Sequence, residues 1–472
     1  MPIGDRIGGF IRPGFNPLLA PGAPTIGTAS PGGALAVSIA FTAPSDVGGG
    51  AITSYEAVAT DTVTAASFVT TGTSSPITVT GLSAGQSYTV TVTAINAYGP
   101  SGMSAASNSS SEGQLAELWT WGWNNKGQLG LGDTTDRSSP VQVGGLTTWK
   151  LVSASYYGTA AIKLDGTMWC WGRGAEGQIG NGLDSDVSSP VQAGAVTIWS
   201  EISCGQMSNI ALQTNGTLWA WGSGGYGNLG NGDTTNRSSP TQVGALTTWL
   251  TASMGYKSVS AIKTDGTLWS WGANSHGELG TGNTTSYSSP VQVGALTDWL
   301  KITAGYEHKL AIKTDGTLWA WGTGSYGRLG LNNTTNYSSP VQVGALTTWS
   351  TVSGGYRHSV AVKTDGTIWA FGRGTNGELG QGNTTNYSSP VQIGALTIWN
   401  ANMSSAAGTT LTGSTQTNGT VWTIGSNTVG QLGQGNTTNR SSPVQIGALT
   451  TWLSLAVAGP SGVHMAGLKE PV

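Results

Sequence analysis

From Leu118 onward the chain repeats a short alternation of large apolar and small residues. One copy reads Leu318-Trp319-Ala320-Trp321-Gly322, with companions 50 residues before and after it. Such alternation describes a strand, and side chains two apart share a face, so both tryptophans point the same way. The phrase recurs at Trp119/Trp121, Trp169/Trp171, Trp219/Trp221, Trp269/Trp271 and Trp319/Trp321, with variants Trp369/Phe371 and Trp422/Ile424. Each copy is followed by a Gly-x-Leu/Ile-Gly turn, a Ser-Ser-Pro and a closing Trp at 149, 199, 249, 299, 349, 399 or 452. Nineteen of the 20 tryptophans occupy these positions, and Trp123 is the extra one.

Each unit divides into four short strands, expected after Trp349 at 350–353, 359–363, 367–371 and 390–393. Asp-Gly or Asn-Gly joins the second strand to the third, at Asp165, Asn215, Asp265, Asp315, Asp365 and Asn418. That dipeptide is the strongest short hairpin signal, because a type I′ turn needs positive φ at both central residues. A period near 50 with strand-like units is the mark of propeller blades, which stack because one blade cannot bury both faces of its sheet. Seven phrases stand against six such turns. The missing hairpin is found at the other end, where 453–459 and 463–469 match the first two strands of a unit. The chain ends are therefore expected to share one blade and close a ring of seven.

Upstream the pattern changes. Residues 21–108 hold short alternating runs at 36–41, 52–59 and 88–94, separated by turn clusters, which suits a β-sandwich. Residues 109–116 read as a polar linker and 117–472 as the propeller. Residues 1–20 are rich in Gly and Pro and cannot build a core. They read either as a tail or as an extended arm that anchors through Arg6, Phe10, Arg12 and Phe15. The whole is all-β.

Composition narrows the function classes. Only 9% of residues are charged and the net charge is −3, which gives no electrostatic case for nucleic acid. No apolar run reaches the roughly 20 residues of a membrane span, and the N-terminus lacks the apolar core of a secretory signal. Cys170 and Cys204 fill slots occupied elsewhere by small or apolar residues, so both read as core filler.

The motifs G-x-L-G, W-G and A-G-x-x-H resemble the regulator of chromosome condensation repeat, and the resemblance implies a seven-bladed propeller. The founder of that family is a nucleotide exchanger for a small GTPase and a chromatin binder. Neither a basic tail nor a distinctive insertion carries that activity here. The upstream segment resembles a fibronectin type III domain through Phe41-Thr42-Ala43-Pro44 and through Leu82 to Tyr88 leading into TVTVTAINAYGPSG. Tyr88 sits at the tyrosine corner, and Phe41 stands where Trp is commoner. The resemblance implies a spacer or adhesion module.

Candidate chemistry is sparse. His308 and His358 repeat at one position of the unit and His464 lies close to it, which points to structure, while His276 lies in a long loop. The acids fall largely in turns, without a distinct pair for glycoside cleavage. No nucleophile–base–orienter set is present, so the chain reads as a non-enzyme without metal or cofactor. Variation is confined to one end of the blades. The residue before Gly-x-Leu-Gly runs Lys126, Glu176, Tyr226, His276, Tyr326, Asn376, Val429. A neighbouring loop runs Tyr156-Tyr157, Gln206-Met207, Tyr256-Lys257, Tyr306-Glu307, Tyr356-Arg357, and a third site reads Arg137, Val187, Arg237, Tyr287, Tyr337, Tyr387, Arg440. Tyr and Arg are enriched on recognition surfaces. This face is the expected binding site, for a saccharide or a protein loop.

Sandwich, propeller and arm together, with a segment like GGFIRPGFNPL in front, resemble marine bacteriophage structural proteins. The expectation is a virion appendage, fibre or decoration protein on the exterior surface, assembled in the host cytoplasm. Its arm would join other virion proteins, and its propeller would touch a host-surface glycan or protein. Homo-oligomerisation is left open. The alternative is a soluble propeller acting as a protein–protein inhibitor or regulator.

Overall fold

The computed structural model describes residues 19–33, 35–82, 86–108, 110–111, 115–400, 407–458 and 463–471. Arg6, Phe10, Arg12 and Phe15 lie outside the described residues. Two compact units divide the chain, Met1–Leu115 and Ala116–Val472.

The first unit is a β-sandwich. Thr25–Gly33, Ala36–Thr42 and Ile77–Thr80 form one sheet; Ile52–Asp61, Ser67–Gly72, Ser87–Asn96 and Gly99–Pro100 form the other, with Ser110–Ser111 beside Ser87–Asn96. Ser87–Asn96 buries every second residue, so Tyr88, Val90, Val92 and Ala94 meet Val37, Ile39 and Phe41 in one core. Phe41, in place of the commoner Trp, packs against Tyr55 with ring centroids 4.7 Å apart.

The second unit is the propeller. Blades one to five span 149–192, 199–242, 249–292, 299–342 and 349–392, each a four-stranded antiparallel sheet. Blade six holds Leu411–Thr415, Val421–Gly425 and Arg440–Gln445. In the closing blade Glu117–Gly122 pairs with His464–Lys469, so one chain end supplies the third and outer strands and the other the first two. Outer strands begin earlier than the pattern suggested, at Tyr387 rather than 390.

Seven apolar clusters hold the ring, one at each seam between neighbouring blades. At the seam of blades one and two, Ile162, Met168, Cys170 and Ile179 face Trp199, Ile202, Cys204 and Trp221. Burial pushes the Cys204 thiol up to about 12 and Cys170 well above its ordinary value, which leaves both as packing groups.

The two tryptophans of each phrase divide the work. The second crosses the seam: Trp221 Nε1 donates to the Gln178 carbonyl at 3.0 Å, and Trp121, Trp171, Trp271 and Trp321 do the same to the preceding blade. Phe371 and Ile424 fill that slot by bulk alone. The first stays half-buried. Trp169 Nε1 donates to Thr167 Oγ1, which donates to Asp165, while Lys163 sits 3.6 Å over the indole face. This explains the spacing of Asp-Gly-Thr-x-Trp.

Hydroxyls stitch the inner strands around the axis. Ser153, Ser203, Ser253, Thr303 and Ser353 each accept a backbone N–H from the next blade, at 2.9–3.4 Å. Further out, His464 Nε2 meets Thr159 Oγ1 at 2.8 Å, and His308 and His358 meet Ser359 and Thr412 at 3.0 Å. Each of those hydroxyls donates its proton to a backbone carbonyl, of Gln128, Arg328 and Glu378 respectively. The imidazole Nε2 must then be the donor, and burial, which holds all three groups below their ordinary value, keeps each ring neutral with its proton on Nε2. All three histidines are structural, as their repetition suggested.

Antiparallel pairing sorts the connections. Ala154 opposes Thr159, and Gly172 opposes both Gly158 and Val187. The first-to-second and third-to-outer loops therefore leave at one end, called the loop end, and the Asp-Gly turns at the other.

Candidate functional site

At the loop end the variable residues of blades two to five join into one sector. Lys257 lies 4.1 Å over the Tyr226 ring and 4.4 Å over Tyr256. Tyr256 stacks on Tyr306 at 4.1 Å with 10° between planes, and Tyr306 meets Tyr356 edge-on at 4.3 Å. Arg357 then lies between Tyr356 and Tyr326, at 4.8 and 5.1 Å. Five expected tyrosines are thus interleaved with Lys257 and Arg357 of the same variable loop. Tyr226 is 48% exposed and Tyr326 37%, so the sector presents open rings. Burial pulls the Lys257 ammonium down, but the Tyr226 and Tyr256 hydroxyls outweigh it and leave the group above its ordinary value. Burial, with Tyr256, Tyr356 and Glu307 adding, raises the Tyr306 phenol, so it stays a neutral donor.

A smaller group stands apart. Tyr156 and Tyr157 pack on each other at 4.1 Å and on Trp123 at 5.4 and 5.8 Å, with Arg173 over Tyr157. The one tryptophan outside the repeat pattern belongs to this cluster.

Other expected residues turn out to be paired. Lys126 bridges to Asp186 at 3.1 Å and Glu176 to Arg173 at 2.7 Å. Asn376 is half-buried, with its backbone N–H donating to the Glu378 carboxylate. The third variable site lies at the start of the outer strands. There Tyr287, Tyr337 and Tyr387 each accept from an asparagine four residues earlier, at 3.1–3.2 Å, while Arg137 and Arg237 pair with aspartates at the same spacing. In these five copies the residue and its partner pin the loop between them, whereas Arg440 has Asn436 at that spacing and no ion pair there.

Between blades four and five the sector opens into a recess of about 530 Å³, lined by His276, Tyr306, Glu307, Tyr326, Arg328 and Arg357 among others. Its origin lies in one broken rule. The middle residue of Gly-x-Leu-Gly is Gln128, Gln178, Asn228, Glu278, Glu378 or Gln431 elsewhere. At five of those sites its side chain accepts the backbone N–H two residues back, as Gln128 does from Lys126 and Glu278 from His276. Arg328 has no acceptor to offer. Instead its Nε and Nη2 donate to Ser325, O and Oγ, and its Nη1 to the Tyr356 carbonyl. The loop tightens into a 3₁₀ turn at Ser325–Gly327, with Tyr326 at φ 64°, a region that disfavours side chains with a Cβ. Arg328 is 3% exposed, and burial lowers its guanidinium to about 10, where it remains charged at neutral pH.

Among the described residues no group of three or more His, Cys, Asp or Glu side chains is arranged to hold a metal. The sector combines flat aromatic faces, hydroxyl donors and fixed positive charge, which is equipment for binding.

The regulator of chromosome condensation (RCC1) repeat matches seven times, at 116–162, 165–212, 215–262, 265–312, 315–362, 365–408 and 418–461. A fibronectin type III domain matches 22–110. No curated protein matches the chain. Among solved structures, human WBSCR16 is similar at 18% identity and a TM-score of 0.66, over 76% of this chain and 99% of that one. Prp20p from Saccharomyces cerevisiae, described for its binding to Gsp1p and histones, is similar at 18% identity and 0.65, over 76% and 92%. Yeast RCC1 (Prp20) bound to Kap60 gives 17% and 0.66, over 76% and 89%. These likenesses show the fold, and neither the matched families nor these structures support a virion role. The chain belongs to the RCC1 repeat family, with a fibronectin type III domain ahead of its propeller.

Proposed function

We propose that this chain is a non-enzymatic recognition protein that holds a surface glycan with the loop end of its propeller. The observation that carries the reading is the unbroken run Tyr226–Lys257–Tyr256–Tyr306–Tyr356–Arg357–Tyr326 across four blades. Stacked phenols present apolar faces for sugar C–H groups and hydroxyls for their oxygens. The fibronectin type III unit serves as a spacer. A glycan array probed with the full chain and with a Tyr226→Ala/Tyr326→Ala variant tests this. Binding should fall at least tenfold, because both rings are exposed and their loss leaves the seams intact; equal binding removes the sector from the site.

A protein partner is the second reading, favoured by the yeast relative that is described for binding Gsp1p and histones. Saturable binding to one soluble protein, with no glycan retained, would establish it. The narrower placement as a virion appendage rests on the composition of residues 1–20 and their resemblance to phage proteins. Deleting 1–20 should abolish incorporation into particles; unchanged incorporation removes that placement.

A further inference from the structure

We infer that the recess between blades four and five is a subsite for a sugar residue that carries a carboxylate. The inference rests on the glycan reading of the loop end and adds the chemical class. Arg328 and Arg357 contribute two positive charges to the recess and Glu307 one negative, in a chain whose net charge is −3. Among the described residues neither guanidinium has a carboxylate within ion-pair distance, a state shared by Arg440 on an outer strand, whereas Arg137, Arg173, Arg237 and Arg373 each have one. Arg328 carries five N–H donors and commits three. A charge buried without a counter-ion is costly, and a planar carboxylate is the partner whose geometry a guanidinium fork matches.

The remaining lining suits the rest of a sugar. Tyr306, Tyr326 and Tyr356 offer ring faces and hydroxyls, and Glu307 accepts from hydroxyl groups. Thr323 is 7% exposed and lines the recess, and its Oγ1 is buried without a partner. A group in that state is satisfied by a ligand or ordered water. No aliphatic side chain lines the recess, which separates it from a groove shaped for peptide side chains. The volume of about 530 Å³ falls in the ordinary range for ligand sites. The departure from the repeat at Arg328 and the unfavourable backbone of Tyr326 coincide at this one place, as expected where local consistency has yielded to binding.

Calorimetry on the full chain tests the inference with three probes: trigalacturonate, its methyl ester and triglutamate. Trigalacturonate should bind, and esterification should weaken it about tenfold or more. Arg357→Ala should weaken it similarly and Glu307→Gln should tighten it several-fold, the opposite sign from general damage to the loop. Ester and acid binding equally, or Arg357→Ala without effect, overturns the acidic subsite and leaves the glycan reading of the loop end standing. Triglutamate binding more tightly than either saccharide overturns it in favour of a protein ligand. Absence of binding by all three overturns it outright.

Discussion

Acidification should open the propeller at its seams, and the histidines set the size of the effect. His308, His358 and His464 are fully buried, and each donates Nε2–H to a hydroxyl of the next blade. A second proton would go to Nδ1, which in His308 and His464 is buried without a partner. Burial brings His464 down to about 3, and burial with Arg373 and Arg328 nearby does the same for His358. Burial, Arg328 and Lys309 hold His308 well below its ordinary value. The folded pKa values lie below the unfolded value of 6.5, so the stabilisation is complete above pH 6.5 and lost as the pH falls towards 3. At pH 5.0 His358 and His464 each cost about 2 kcal/mol relative to pH 7, about 4 kcal/mol together, and His308 adds in the same direction. That is comparable with the whole stability of many domains, about 5–15 kcal/mol. Carboxylates such as Asp265, Asp315 and Asp365, lowered from 3.8 by bonds from Thr267, Thr317 and Thr367, act only at lower pH. Glu201, raised by burial, works in the opposite direction and offsets part of the loss. Urea unfolding followed by tryptophan emission reads the propeller alone, since all 20 tryptophans lie beyond residue 118. The midpoint should drop sharply between pH 7.0 and 5.0, and His464→Gln, which keeps a donor but does not titrate, should remove about a third of the drop. Equal midpoints at the two pH values would refute the account of three imidazoles buried in the neutral form.

Three further outcomes follow from the same geometry. Trp171→Phe removes the 2.9 Å bond to the Gln128 carbonyl, which keeps its bond from Thr159, and should cost about 0.5–1.5 kcal/mol in thermal unfolding, whereas Trp171→Ala should cost about 3–5 kcal/mol. Gly127→Ala should destabilise strongly, since a Cβ there would meet Ser188 Cα at 2.5 Å at φ 75°; Gly144→Ala, at φ 63° in open space, should cost only about 1 kcal/mol. Tyr326→Gly should stabilise the fold by about 1 kcal/mol by relieving its φ of 64°, while weakening ligand binding, a split that calorimetry and a melting curve separate.

The ring itself was legible in the chain, because blade number, ring closure and the distribution of loops follow from a period, seven phrases and six turns. The seams were legible only in outline. Alternation placed Trp219 and Trp221 on one face, but not that the second would bond across the seam while the first sits half-buried beside Thr217. The site was less legible still. Tyr226, Tyr256, Tyr306, Tyr326 and Tyr356 were found by their variation, and the structure joins them. Tyr287, Tyr337 and Tyr387 vary too, yet each hydroxyl is taken by the asparagine four residues earlier, a local bond that single positions do not reveal. Arg328 was overlooked because it sits in the most regular turn of the repeat. Its signal is chemical: one donor in a column of acceptors. Trp123 stood outside the pattern, and only packing shows what it meets.

Hydrogen exchange of the full chain with and without trigalacturonate tests the recognition face most directly. Slowed exchange is expected at 256–257, 306–307, 325–328 and 356–357, with the Asp-Gly turns at 265–266, 315–316 and 365–366 unchanged. Slowing at those turns, or no change in the four loop segments, would contradict a binding face at the loop end.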